Sequence, residues 1–160
     1  MVVRVINATQ RRSTIDHSGG KGEAYGMKVL CATTELAAAE ANSTIDFGRI
    51  PSNARILSSS RLYNDDLATS GSPTLDVGLI NVDGNITDDV DAIGNGFALS
   101  SAATDVLVVS DAINSGLPAW DFVNAQTSDP GGEFIVRGVV LDAPTLATGT
   151  ITLELHYYLD

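Results

Sequence analysis

The side chains that could do chemistry in this chain are few. There are two histidines, His17 and His156, and one cysteine, Cys31. No His-Glu-x-x-His stretch is present, so the sequence carries no helix-borne zinc-hydrolase signature. Cys31 and the two histidines have no metal-ligand spacing. Cys31 lies in the apolar run Val29-Leu30-Cys31-Ala32 and reads as a small buried hydrophobe. A single cysteine also forbids an intrachain disulfide. Serine is abundant, yet Gly-x-Ser-x-Gly is missing, and neither histidine is placed to serve a triad. Ser58-Ser59-Ser60 reads as part of a strand with its hydroxyls facing solvent or the ladder.

Two further patterns invite a site. Gly19-Gly20-Lys21-Gly22 has a Gly-Lys pair but no Ser or Thr after Lys21 and no strand before it, so it cannot be a phosphate loop. Asp83 to Asp91 (Asp-Gly-Asn-Ile-Thr-Asp-Asp-Val-Asp) offers oxygens at the alternating spacing of calcium loops. It lacks the sixth-position Gly and twelfth-position Glu of an EF-hand, and a solvated turn is the simpler reading. Paired carboxylates could serve a glycosidase, but aromatic residues make up only 6% of the chain, with one Trp. The sequence therefore predicts no catalytic, cofactor-binding or metal-binding residues, and no enzyme.

Composition sets the frame for whatever must position such residues. At 160 residues the chain fits one domain, since domains commonly run about 100–150 residues. Hydrophobic residues make up 44% and charged ones 18%, against a usual charged share of about 25%. Small polar residues fill the difference, which describes a globular protein with a Ser/Thr/Asn-rich surface. The net charge is −11 and the sequence pI about 4.3. Nucleic-acid binding needs clustered Lys and Arg, and an anionic membrane repels the same charge, so neither is an expected partner. No signal segment is recognisable in Met1 to Arg12, and no apolar run reaches the length of a membrane helix. Without a secretory route the sequons at Asn7, Asn42 and Asn85 read as products of composition.

The charge is uneven. Residues 1–25 hold Arg4, Arg11, Arg12 and Lys21 against Asp16 and Glu23, a net of +2. The other 5 basic and 18 acidic groups give the rest of the chain a net of −13. With the linker-like Ser18-Gly19-Gly20-Lys21-Gly22, this predicts a flexible basic N-terminal arm over residues 1–24 and an acidic body over 25–160.

The body reads as β. Residues 43–50 alternate, with Ile45, Phe47 and Arg49 on one side and Thr44, Asp46 and Ile50 on the other. Pro51-Ser52-Asn53 makes a turn, and Ala54 to Tyr63 restarts a strand. Thr74 to Ile80 places Leu75, Val77 and Leu79 on one face. Glu133–Leu141 and Thr150–Leu159 read as two strands of a β-hairpin. Gly26 to Thr34 reads as a strand, and Glu35 to Ala41 as a helical turn or edge strand. A short helix is expected over Asp89 to Ala98 and a strand over 105–110, while Trp120 and Phe122 plug one end of the core. The expected fold is all-β: a single antiparallel β-sandwich, jelly-roll-like, with an extended N-terminal arm.

The order of these features resembles the small head decoration (cement) proteins of tailed bacteriophages. The carriers are Ala24-Tyr25-Gly26, Ser43-Thr-Ile-Asp-Phe-Gly-Arg-Ile-Pro51, Ala54-Arg-Ile-Leu57, Leu75-Asp-Val-Gly-Leu79 and the closing Gly149-Thr-Ile-Thr-Leu-Glu-Leu-His-Tyr-Tyr-Leu-Asp160. Together they span roughly residues 25–160. The resemblance implies a β-sandwich made in the host cytoplasm that assembles as a homotrimer on the outer capsid surface. Its partner would be the major capsid protein and its role the stabilising of the shell. It brings no catalytic residue with it. Arg4, Arg11 and Arg12 are then the candidate contacts of an arm reaching a neighbour. A head–tail connector or tail protein is the alternative within the virion. A carbohydrate-binding β-sandwich using Trp120, Tyr157 and Tyr158 is the alternative outside that class.

Overall fold

The computed structural model describes residues 5–7, 9–14, 26–107, 109, 115–123, 126–142 and 145–159. Two sheets face each other across one core. The first runs in the order β1 (Val5–Asn7), β4 (Thr44–Pro51), β10 (Glu133–Leu141), β7 (Thr74–Asn81), β8 (Asp89–Ala98). The second runs β2 (Thr9–Thr14), β3 (Lys28–Leu36), β11 (Gly149–Leu159), β6 (Arg61–Asn64), β9 (Ala103–Leu107). The short β5 (Ala54–Ile56) pairs with the last residues of β11. Every pairing is antiparallel except β1 with β4. The all-β sandwich expected from the alternating patterns is the fold of the chain.

Alternation builds the core because successive strand residues point to opposite faces. In β11, Ile151, Leu153 and Leu155 are fully buried while Thr150, Thr152, Glu154 and His156 keep partial exposure. In β7, Leu75, Val77 and Leu79 are buried as their spacing predicts. Phe47, Phe134, Val136 and Val140, from β4 and β10 of the same sheet, are buried with them.

Several expectations need correction. Glu133–Leu141 and Thr150–Leu159 do not form a hairpin: β10 pairs with β4 and β7 in one sheet, β11 with β3, β5 and β6 in the other. The connection between them crosses the sandwich, a path that two alternating runs and a loop cannot reveal. Asp89–Ala98 is strand β8, not a helix; its partners are supplied by β7. Ala54 to Tyr63 is two strands, with Ser60 fully buried in the turn between them and its Oγ donating to the Leu57 carbonyl. Ser58 and Ser59 belong to the same turn. Glu35 and Leu36 end β3, and Ala38 stands in the left-handed region (φ 51).

Arg49 and Ile50 exchange the faces expected for them. Val136 stands opposite Gly48, but Arg137 stands opposite Asp46, so Phe47 is an extra residue in β4. This β-bulge reverses the side-chain phase. Ile45 and Phe47 are buried before it, and Ile50 is buried after it while Arg49 is exposed. Gly138 gives Phe47 its space: a Cβ there would lie 3.0 Å from Phe47 Cε2 and 3.1 Å from Leu75 Cδ1.

Both ends of the sandwich are closed. At one, α1 (Ala119–Phe122) seals the core with Ala119, Phe122 and Val123. It is anchored by Trp120 N–H donating to the Ser52 carbonyl. At the other, Leu67, Leu99 and Leu146 are buried in loops joined by backbone hydrogen bonds from Leu67 to Leu99 and from Leu146 to Ala39.

Candidate assembly surface

The residues singled out in the sequence fall on different parts of the molecule. Arg4 and His17 lie outside the described residues. Arg11 and Arg12 belong to β2, an outermost strand, where they stand in register with Cys31 and Leu30. The segment expected as an arm thus contributes one strand to the border of each sheet, β1 beside β4 and β2 beside β3.

The outward face of the second sheet is polar. Thr33 and Thr152 share a 2.9 Å hydrogen bond, and Tyr63 Oη donates to Glu154 Oε2 at 3.2 Å. Cys31 stands opposite Glu154. It is part-exposed and not the buried hydrophobe expected, because β3 turns Leu30 and Ala32 to the core instead. His156 Nδ1 lies 2.8 Å from Ser59 Oγ, and His156 N–H donates to Ser60 Oγ. Sequence reasoning missed this serine–histidine contact because its partners are 97 residues apart. A triad needs a third group orienting the imidazole. The imidazole meets Ser59 Oγ, whereas Ser60 is met by the His156 backbone N–H, so the arrangement is a serine–histidine hydrogen bond at the sheet surface.

The outward face of the first sheet mixes apolar and neutralised charged groups. Arg137 makes a two-pronged pair with Asp46, with Nε to Oδ1 at 2.5 Å and Nη2 to Oδ2 at 2.9 Å. That hydrogen bonding, with further attraction from Asp46 and Asp88, raises the arginine's pKa above its usual value against the opposing effect of burial. Arg49 meets Glu133 at 3.5 Å in the open. Ile135 and Ile80 stand side by side in register, with Val139 and Leu141 further along β10. All four keep partial or little exposure.

Asp83–Asp91 is organised by its own neighbours. Asp88 Oδ1 accepts from Asn81 N–H at 2.9 Å, and Asn81 Oδ1 accepts from Asn85 N–H at 3.1 Å. Asp89 is buried, with 6% of its surface exposed. Among the described residues no three His, Cys, Asp or Glu side chains come together as a metal site. Trp120, Tyr157 and Tyr158, the aromatic residues available for a sugar platform, are each only part-exposed, and Trp120 and Tyr157 pack against the core. No helix among the described residues is long and apolar enough to cross a membrane.

No protein-family model and no curated protein matches the chain. Two solved structures share its fold. A chain of the cyanophage Pam1 capsid asymmetric unit is 22% identical over 91% of this chain and 95% of its own, with a TM-score of 0.60. A chain of the capsid of Ralstonia phage GP4 is 22% identical over 98% of this chain and 99% of its own, with a TM-score of 0.61. The likeness establishes the sandwich as a fold found in phage capsids.

Proposed function

We propose that this protein is a structural, non-enzymatic component of a bacteriophage virion that decorates and stabilises the outer surface of the head as a homotrimer. The observation that carries this reading is fold likeness over nearly the whole of both chains to a component of the GP4 capsid. Near-equal coverage means that the matched component is this sandwich and little else. The Pam1 match repeats the likeness in a second capsid. The motif order of residues 25–160 points the same way.

The physical role is adhesive. A symmetric trimer presents each weak contact three times, and linked contacts bind far more tightly than one alone. The partner is the major capsid protein. Residues 1–24, with Arg4, Arg11 and Arg12, supply the basic counterpart to the acidic body and are the contacts proposed to reach a neighbour.

The deciding experiment is the copy number of this chain per purified particle, by quantitative mass spectrometry against the major capsid protein. A ratio of order one is expected for decoration across the shell. A ratio of a few per cent would move the chain to the connector or tail, and absence from the particle would reject a virion role. Native mass spectrometry of the isolated protein tests the trimer, and surface labelling of intact heads tests its outward placement.

A further inference from the structure

Asn95-Gly96 is the sole Asn-Gly pair in the sequence, and it sits at an irregularity in β8. Leu75 pairs with Phe97 and Val77 with Gly94, so Asn95 and Gly96 together oppose the single residue Asp76. Gly96 adopts φ +68, the left-handed conformation that glycine takes at such bulges. Both residues are exposed, and a Cβ on Gly96 would meet nothing within 4 Å. The Gly96 N–H donates to Asp76 Oδ1 at 2.8 Å.

We propose that Asn95 is a spontaneous deamidation site of the folded protein, with Asp76 accepting the proton that the reaction removes from Gly96. The Gly96 nitrogen attacks the Asn95 side-chain carbonyl carbon and forms a new C–N bond. The side-chain amide leaves as ammonia, taking up the proton that Gly96 gave to Asp76. The product is a five-membered succinimide. Water then opens that ring at either carbonyl, giving aspartate or isoaspartate at position 95. No oxidant or cofactor is needed.

Three features favour the step here. A residue in a regular ladder is held by hydrogen bonds on its partner strand and cannot rotate to close the ring. The extra residue of a bulge is unpaired and has that freedom. Glycine leaves the attacking nitrogen unhindered on one side. Asp76 stands at the nitrogen that must lose its proton, within the reach required of a general base. The outcome is also specific to this place. The succinimide has no N–H at Gly96, so the hydrogen bond to Asp76 is lost. Hydrolysis leaves a new carboxylate on the residue pair that stands opposite Asp76 in register, on a border strand that already carries Asp89 and Asp91. In its isoaspartate form it also lengthens the backbone by one carbon. β8 should therefore loosen from β7 as the protein ages, which matters most for a long-lived particle component.

The test is incubation of the full-length folded protein at mildly alkaline pH, with peptide mapping that separates Asn, Asp and isoaspartate at each position. Asn42, which precedes Ser43, is the internal comparison. Conversion at Asn95 ahead of Asn42 is expected, and conversion at Asn95 no faster than at Asn42 overturns the site. The same measurement in concentrated urea separates fold from sequence: a slower rate at Asn95 in the unfolded chain is expected, and an equal or faster one overturns the contribution of the fold. Asp76→Asn should slow conversion in the native protein, and an unchanged or increased rate removes Asp76 from the step. The urea comparison needs no variant, so it decides the matter even if Asp76→Asn fails to fold.

Discussion

Asp65 shows how much a single side chain can organise at the mouth of this sandwich. Its backbone N–H donates to the Thr150 carbonyl at 3.0 Å, and its carboxylate accepts from Thr150 N–H at 2.7 Å and from Thr150 Oγ1 at 2.9 Å. The two hydrogen bonds from Thr150 stabilise the ionised form and lower the carboxyl's pKa from 3.8. A group whose pKa falls on folding adds stability that is fully present above its unfolded value and is lost as pH drops through the folded value. Asp65→Asn should therefore be less stable than the native chain at neutral pH, and the difference should shrink as pH falls below 3.8. Urea midpoints at a series of acid pH values read this directly, and a pH-independent gap would remove the charge from the account. The neighbouring Gly149 has no space to spare. A Cβ there would lie 2.8 Å from Leu67 Cδ2 and 3.1 Å from Asp65 Oδ2. Gly149→Ala should cost about 1–3 kcal/mol in unfolding free energy through overpacking. None of this was legible in the sequence, where Asn64-Asp65-Asp66 shows only turn-forming residue types. The partner that gives Asp65 its role lies 85 residues away.

The strands were largely legible, and their partners were not. Leu75, Val77 and Leu79 announce β7 because a half-buried strand must alternate. Where a bulge resets that alternation, as at Phe47, the reading fails from the next residue onward. β8 misled for a related reason. It pairs with β7 in separated stretches, with Leu79 opposite Asp89 and Val77 opposite Gly94, so Val90 to Ile93 bulge out of register and break the period of two. Ile93 turns into the core, with 2% exposed, while Val90 is 45% exposed. The departure is made possible by Gly78. The backbone of Asp89 and Val90 passes so close over it that a Cβ would fall 2.2 Å from the Asp89 carbonyl oxygen. Backbone cannot yield as a side-chain tip does. Gly78→Ala should thus cost about 3 kcal/mol or more, at the upper end of overpacking effects. Gly84 provides the control: it has φ +67 and open space around it, so Gly84→Ala should cost only the left-handed penalty of about 1–2 kcal/mol. Chemical denaturation of the two variants checks the ranking, and equal losses would mean that the crossing over Gly78 is not a constraint.

At the scale of the whole molecule, the two outermost segments of the chain differ in what they support. Composition and alternation made the sandwich legible, because an all-β chain with one apolar face per strand can bury those faces only against another sheet. The assignment of strands to sheets was hidden, since it depends on pairings far apart in sequence. The N-terminal segment supplies the outer strands β1 and β2, each bonded on one side to its sheet. The C-terminal β11 lies inside its sheet, bonded to β3 on one side and to β5 and β6 on the other. It brings three fully buried side chains, Ile151, Leu153 and Leu155. Burying each such side chain contributes about 1.5–3 kcal/mol, while a domain's entire stability is about 5–15 kcal/mol. A chain ending at residue 148 should therefore lose its cooperative thermal transition, since it forfeits that burial and leaves β3 and β6 without their common partner. A chain lacking residues 1–24 should keep the transition, at reduced temperature, because only sheet borders are exposed. Circular dichroism melts of the two truncations decide it. If the C-terminal truncation still unfolds in one sharp step, β11 is not the keystone of its sheet. If the N-terminal truncation fails to fold, β1 and β2 belong to the folding unit and are more than sheet borders.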